Sequence, residues 1–344
     1  MKAITFETIG SPLDVLEIHD VPIPEIGDDD VVVKMVAASI NPGDFMFIQA
    51  LYPEAKRPVF PRQIAGNHGA GIVEKAGKNV TMKTGTLVAF SHYNTWAEYA
   101  AVPAERLIPL PVSFPIEKAG QFVNFISAWD LLEMSGVQPG QWLALTAGNS
   151  TVSVMAAQFA RRKGVKVLAI VRKAQTHLDL KTLGADEVIE LSKLEGNISD
   201  RIAKITQGKH LNGVIDSVGG ALAGDLVRSL ADGGRFVIYG GYSPEKFSIH
   251  NFDLLIKGAE IRTYIYRYFF DPPKSGDFPE LEKIAEITEA AAFRIPIGGS
   301  HPLDDFKAAI YETAHRPELG KRFFNMVPTS HFPQSSPSSR RLGN

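Results

Sequence analysis

The chain has no cysteine. That excludes a disulfide framework, thiolate zinc sites, iron–sulfur clusters and a catalytic thiol. A bias of charge is also missing. Lys plus Arg number 36 and Asp plus Glu 38, a net charge of −2. No basic excess marks a nucleic-acid binder, and no block of like charge marks a polybasic membrane anchor. The opening MKAITFETIG enters a strand-like pattern at once, with no apolar core of a signal peptide, so neither a secretory nor an organellar signal is expected. The expected location is the cytoplasm. Residues 134–160 carry no charge over 27 positions, but Pro139, Gly140, Gly148, Asn149 and Ser150 interrupt them. A buried strand, a turn and a helix fit that stretch better than a membrane span.

What is present is the balance of a globular protein: 344 residues, 44% apolar and 22% charged. At roughly 150 residues per domain the length suggests two domains. The first 125 residues read as short strands and turns. Strands are expected at 31–36, 69–75, 87–90 and 97–102, with Gly27, Gly77, Gly85 and Pro103 between them. Three prolines in 107–116 leave an extended connector.

The pattern then changes. Strands at 142–146, 166–171, 188–191, 213–216 and 235–239 alternate with helices at 152–163, 174–183, 199–206 and 220–231. In the last helix Leu222, Leu226, Val227 and Leu230 share one face. Alternation of this kind builds βαβ units and a parallel sheet covered on both sides. Helices at 279–293 and 303–315 and a strand at 321–326 follow. Ser and Pro supply 7 of the last 16 residues, so 329–344 are expected to be disordered.

A parallel sheet binds ligands at the carboxyl ends of its strands, near the switch in strand order. The first strand–turn–helix of the block reads WLALT–AGNSTVS. A helix start offers unpaired N–H groups and the positive end of the dipole to a pyrophosphate. Gly148 allows a tight turn there, and Ser150, Thr151 and Ser153 carry hydroxyls. A plain serine N-cap explains the same residues equally well on the turn alone; the βαβ context favours a dinucleotide. The second strand ends AIVRK. Arg172 and Lys173 stand where an acid would bind the free ribose of NAD, and a guanidinium there pairs with a 2′-phosphate. NADPH is therefore the expected cofactor, with two merely solvated cations as the competing explanation.

Four segments carry a family likeness: ASINPGDFMFIQALYP, AGNHGAGIVEKAGKNVTMKTGTLVAF, DSVGG and YGG. Over about residues 1–328 the chain resembles the medium-chain dehydrogenase/reductase superfamily. Within it the likeness is strongest to 2-enoyl thioester reductases, because AGNSTVS replaces a glycine fingerprint, and next to zinc-free quinone oxidoreductases. The resemblance implies an α/β fold. A GroES-like, partly open β-barrel domain (1–125 and 264–328) would flank an inserted doubly wound Rossmann domain (126–263), with the site in the cleft and a homodimer as the common assembly. The zinc members use a Cys/His/Cys site, which this chain cannot build. Their Gly-His-Glu triplet is here Gly66-Asn67-His68, so His68 is expected to be structural.

Site roles follow from the same resemblance. Tyr52 is the expected acid or hydrogen-bond donor; an aromatic wedge before Pro53 is the alternative. Asn41 and Asp44 are expected to shape its loop, with Asn41 and Asn124 touching the cofactor beside Ser127 and Trp129. The cofactor would lie along Gly148, Asn149, Ser150, Thr151, Val152, Arg172, Lys173, Gly219, Gly220, Tyr239, Gly240 and Gly241. Tyr264, Tyr266 and Tyr268 would line an acyl channel or form core or dimer contacts. The implied activity is NADPH-dependent reduction of a 2-enoyl thioester. The alternatives are an NADPH:quinone or general enone reductase and a catalytically silent NADPH-binding protein. The acceptor in either active case is a small molecule.

Overall fold

The computed structural model describes residues 1–52 and 56–326; the tail expected to be disordered lies outside them. Six parallel strands form one sheet: β1 (Trp142–Leu145), β2 (Lys166–Val171), β3 (Glu187–Glu190), β4 (Leu211–Asp216), β5 (Leu230–Ile238) and β6 (Glu260–Thr263). Their order is β3-β2-β1-β4-β5-β6. Ala144 of β1 sits in register with Leu168 of β2 on one side and Val214 of β4 on the other. Strand order therefore reverses between β1 and β4, and the crevice of a doubly wound sheet opens there.

A second, seven-stranded sheet contains Asp30–Ser39, His68–Ala76, Leu87–Ser91, Tyr99–Pro103, Ile108–Pro109, Ile297–His301 and Lys321–Asn325. Phe323 pairs with Ser39 and Phe324 with Ala38, so both ends of the described chain share one sheet. A three-stranded sheet of Lys2–Phe6, Glu17–Asp20 and Gln63–Ile64 lies beside it. The short helix α1 (Pro42–Ile48) starts with Pro at its first turn and a reciprocal cap between Asn41 and Asp44.

The long helix α2 (Phe122–Ser135) was not marked by the sequence pattern. Twelve of its fourteen residues are buried, so it has no polar face for periodicity to reveal. Its side chains join one continuous core with Ala37, Ala70, Leu87 and Ala89 of the seven-stranded sheet and with Leu143, Leu145, Ile215 and Val237 of the parallel sheet. Gly136, at φ +66°, ends it in the left-handed conformation. Residues 134–160 thus hold the end of α2, strand β1, the turn and helix α3 (Thr151–Arg162). Among the described residues no helix is long and apolar enough to cross a membrane.

Three expected helices need correction. Residues 174–183 form successive turns. Asp179 Oδ1 accepts the N–H groups of Lys181 (3.0 Å) and Thr182 (3.3 Å), and the Thr182 hydroxyl donates to the Asp179 carbonyl (2.9 Å). Such local bonds compete with the helical ladder. The helix expected to reach residue 231 ends at Arg228 as α4 (Gly220–Arg228), and Leu230 instead begins β5. Leu222 is only half-buried, while Leu226, Val227 and Leu230 are core. The helix over 279–293 is shorter, α5 (Phe278–Glu289).

Arg267 joins α2 to α5. Its guanidinium bonds both oxygens of the buried Asp130, with Nε 2.9 Å from Oδ2, and Nη1 reaches Glu280 Oε2 at 2.6 Å. Trp129 Nε1 donates to the other Glu280 oxygen (2.9 Å), and Tyr264 Oη donates to Asp130 (2.9 Å). Arg267→Met should cost about 3 kcal/mol in urea unfolding, because it strands a buried carboxylate, and adding Asp130→Asn should recover part of the loss. Equal losses in the single and double variants would contradict this account.

Candidate active site

The crevice is organised from its floor by Asp216, the last residue of β4. Its Oδ1 accepts the hydroxyl of Thr146 (2.7 Å) and the N–H of Val218 (3.2 Å), and its Oδ2 accepts the N–H of Gly219 (2.9 Å). Thr146 Oγ1 accepts in turn from Ser217 N–H (2.8 Å). One carboxylate thus fixes the turn after β1 and the loop after β4 together. Sequence reading quoted its segment, DSVGG, but gave Asp216 no role.

In the turn after β1, the left-handed residue is Ala147 (φ +44°), not Gly148. Gly148 is glycine for another reason: a Cβ there would lie 2.8 Å from Ala169 Cβ and 3.1 Å from its Cα on β2. Its N–H is used by the Ile170 carbonyl (2.9 Å). Ser150 caps α3 by accepting the N–H of Ser153 (3.3 Å). The buried Ser153 hydroxyl donates to the Thr146 carbonyl (3.1 Å), so it braces the turn and is not available to a ligand. The first-turn N–H groups of Thr151 and Val152 precede the intrahelical ladder and face the crevice end of the dipole, and Asn149, Thr151 and Val152 are half-buried.

Arg172 and Lys173 are exposed just beyond β2. Among the described residues neither has a carboxylate within ion-pairing distance, so both charges remain available at the strand end. Gly219 (φ +78°) and Gly220 (φ +69°) need their left-handed backbone. A Cβ at Gly240 would press to 2.9 Å from the Ser217 carbonyl oxygen, whereas nothing crowds Gly241. Tyr239 and Gly240 both donate N–H to the Asp216 carbonyl, at 2.8 and 3.2 Å.

The opposite wall comes from α1 and its loop. Asp44 is fully buried and accepts N–H bonds from Asn41 (2.7 Å) and Asn67 (2.8 Å). Burial nevertheless raises its pKa to about 6, opposed by those two bonds and by the Lys321 charge. Asn41 Nδ2 donates to Ser39 Oγ (2.8 Å), and Asn124 Nδ2 reaches Asn41 Oδ1 (3.2 Å) and Gln121 Oε1 (2.8 Å). Asn124 therefore bridges α2 to the cap of α1. Tyr52 stacks obliquely on Phe269 at 5.5 Å between ring centroids. A Cβ on Gly43 would lie only 2.3 Å from the Tyr52 hydroxyl, which places that oxygen directly over the glycine. Burial first, then the nearby Asp44 charge and Tyr239, hold the phenol well above its ordinary pKa, so it stays protonated. Tyr239 thus brings the loop after β5 to Tyr52.

The remaining expected contacts divide. Ser127 bonds the Val123 carbonyl within α2, and Trp129 packs on Phe159 at 5.3 Å in the helix layer. The structure places both among packing partners, and neither is brought to Tyr52. Tyr264 is tied to Asp130. Tyr266 is turned toward His68 with ring centroids 6.2 Å apart, and Tyr268 packs edge-on against Tyr266. Tyr266 Oη, His68 Nδ1 and the neighbouring Ser91 Oγ are buried polar atoms without a hydrogen-bond partner. Sites of this kind hold water or a ligand's polar atoms. Among the described residues there is no cluster of three or more His, Asp or Glu side chains placed to hold a metal ion.

Comparison with known proteins agrees with this architecture. A model of the alcohol dehydrogenase GroES-like domain matches residues 27–112, and one of zinc-binding dehydrogenases matches 151–286. The chain belongs to the medium-chain dehydrogenase/reductase superfamily and is an oxidoreductase of the nicotinamide-dinucleotide type. Among its relatives is the mitochondrial enoyl-[acyl-carrier-protein] reductase of Caenorhabditis elegans, 31% identical over 252 residues (70% of this chain, 71% of that one). The human mitochondrial enoyl-[acyl-carrier-protein] reductase is 29% identical over 332 residues (94% and 87%). A putative NADPH:quinone reductase from Bacillus thuringiensis superimposes with a TM-score of 0.83 at 26% identity, covering 94% of this chain and 98% of its own.

His68 supplies a pH test. Burial, then the charges of Lys56 and Lys321, depress its pKa to about 3. The native imidazole stays neutral while the unfolded one protonates below about 6.5, so stability falls as pH drops through that window. Relative to His68→Gln, the wild type should lose about 1.4 kcal/mol per pH unit between pH 6 and pH 4 in denaturant titrations. Parallel pH profiles for the two proteins would refute it.

Proposed function

We propose that this chain reduces the C=C bond of a 2-enoyl thioester with NADPH, and that Tyr52 donates a hydrogen bond to the substrate carbonyl. The observation that carries the reading is the protonated Tyr52 hydroxyl held over Gly43, opposite the loop that bears Tyr239. The crevice between the turn after β1 and the loop after β4 fits a dinucleotide: it combines a helix start, left-handed glycines and two uncompensated cations. Thr151 and Val152 would meet the pyrophosphate, and Arg172 with Lys173 the ribose 2′-phosphate. Bound there, the reduced nicotinamide supplies a hydride for the β-carbon of the acceptor.

The chain's own part is electrostatic. As the β-carbon gains its hydrogen, negative charge grows on the thioester oxygen, and a donor fixed in advance stabilises it. Tyr52 suits that task because its raised pKa keeps the proton available. Its proton then passes toward the α-carbon and is replaced from water. Asp44 holds the loop in shape through backbone bonds, and Asn124 fixes Asn41 against α2. The names of the curated relatives favour an enoyl thioester over a quinone. The Bacillus neighbour keeps the quinone as the second reading.

NADPH consumption with crotonyl-CoA and with a naphthoquinone separates the two: turnover of the quinone alone would overturn the thioester reading. Tyr52→Phe should lower kcat about a hundredfold with unchanged NADPH affinity. Full activity in that variant would remove Tyr52 from the mechanism, and no activity in the wild type with any acceptor would favour a silent binding protein. Gly43→Ala should also depress kcat, since its methyl displaces the hydroxyl. Arg172→Ala should weaken NADPH at least about tenfold while sparing NADH, the loss of a charge-assisted pair; equal loss for both nucleotides would place the cation elsewhere.

A further inference from the structure

Beside Tyr52 lies a cavity of about 120 Å³ lined by Lys56, Ser91, His92, Tyr93, Arg106, Phe269 and Phe270. Its charge is one-sided. Lys56 is only 7% exposed, and among the described residues no carboxylate lies within ion-pairing distance of it. Its ammonium rests over the rings of Phe269 (4.3 Å) and Tyr93 (5.5 Å). Cation–π contact offsets only part of the cost of burying a charge. Arg106 enters from the other side and spends two donors on backbone carbonyls, those of Phe270 (2.7 Å) and Tyr268 (3.4 Å). It too has no carboxylate partner among the described residues. Burial first, and then the Arg106 charge, lower the Lys56 pKa to about 8, opposed by the charge of Asp44. His92, half-buried, is kept neutral by burial and by the same two cations, with its pKa at about 4.

Ser91 adds an independent observation. It is 5% exposed and its hydroxyl has no hydrogen-bond partner. Ser91 pairs with His68 across the sheet, and His68 faces Tyr266, so the cavity-lining Ser91 stands near two more buried polar atoms without a hydrogen-bond partner, His68 Nδ1 and Tyr266 Oη. A buried cation, a half-buried one and a buried serine with a free hydroxyl, all lining one cavity, are the complement of an oxyanion group.

We propose that this cavity binds an anionic oxygen group, a carboxylate or phosphate, carried by the acceptor. This deepens the thioester reading and rests on it for the identity of the acceptor. Tyr52 and Lys56 share the ring of Phe269, so the anion would sit one aromatic ring from the hydroxyl that meets the reacting carbonyl. The cations would then select acceptors by charge as well as by their double bond. The negative group has two possible sources: the far end of the acyl chain or the arm of the thiol.

The test measures binding to the NADP⁺ complex by calorimetry, where no turnover occurs. Three ligands are compared: crotonyl-pantetheine, which is neutral; crotonyl-phosphopantetheine, which adds phosphate on the thiol arm; and the pantetheine half-thioester of trans-2-pentenedioate, which adds a carboxylate on the acyl end. At least one charged ligand should bind tenfold or more tightly than the neutral one, and which one identifies the source. Lys56→Met, which keeps an apolar chain on Phe269, should abolish that ratio, as should Arg106→Gln. Equal affinity for all three ligands in the wild type overturns the proposal, as does a ratio that survives Lys56→Met. Turnover is recorded separately. Charge-selective binding without reduction of any thioester would sink the enoyl reductase reading and leave the anion site standing, whereas reduction without selectivity does the reverse.

Discussion

Everything in this fold hangs on a helix that solvent reaches only in its last turn. Helix α2 carries Phe122, Phe125, Leu131 and Leu132 into a core shared by the parallel sheet and the seven-stranded sheet. Close-packed interiors transmit position, so a core common to both sheets fixes the cleft between them. The polar exceptions on α2 serve the same end. Asn124 ties it to the cap of α1, where the loop of Tyr52 begins, and Asp130 ties it through Arg267 and Glu280 to α5. Placement of the phenol across the crevice thus depends on packing around α2 as well as on the residues of the crevice.

The buried charges sort into two kinds, and the difference is physical. Asp216 and Asp44 accept several N–H or O–H donors each, and so act as struts: the bonds offset part of the cost of desolvation and also define loop geometry. Asp130 is met by a guanidinium and a phenol. Lys56 faces a cavity with only aromatic rings against its charge, and the half-buried Arg106 beside it is held by backbone carbonyls and by no carboxylate among the described residues. Uncompensated groups of this kind cluster where ligands bind.

In the turn after β1 the serines have structural tasks. Ser150 is a helix cap and Ser153 a brace, which is the ordinary explanation of a serine-rich turn. The N–H groups of Thr151 and Val152 precede the intrahelical ladder, so the cap does not compete with the pyrophosphate contact proposed for them. The glycine that survives, Gly148, answers to the neighbouring strand and not to the turn.

By itself the sequence determined the alternating β/α block, because buried parallel strands are continuous apolar runs that local composition reveals. It also determined the absence of thiolate chemistry and the cations after β2. Side-chain bonds to the local backbone escaped it: Asp179 held 174–183 in turns that composition could not tell from a helix. A helix buried on every side, α2, gave no periodic signal, and Leu230 fell on a helical spacing while starting a strand. Lys56 and Arg106 were given no role, since nothing in PEAKRPVF or AERL singles them out. Only tertiary structure brought them together with Ser91, set Tyr52 over Gly43 and gave Asp216 its role. Most of these contacts join different elements of the fold, and their energy depends on shape and desolvation in three dimensions, which the residue pattern does not contain.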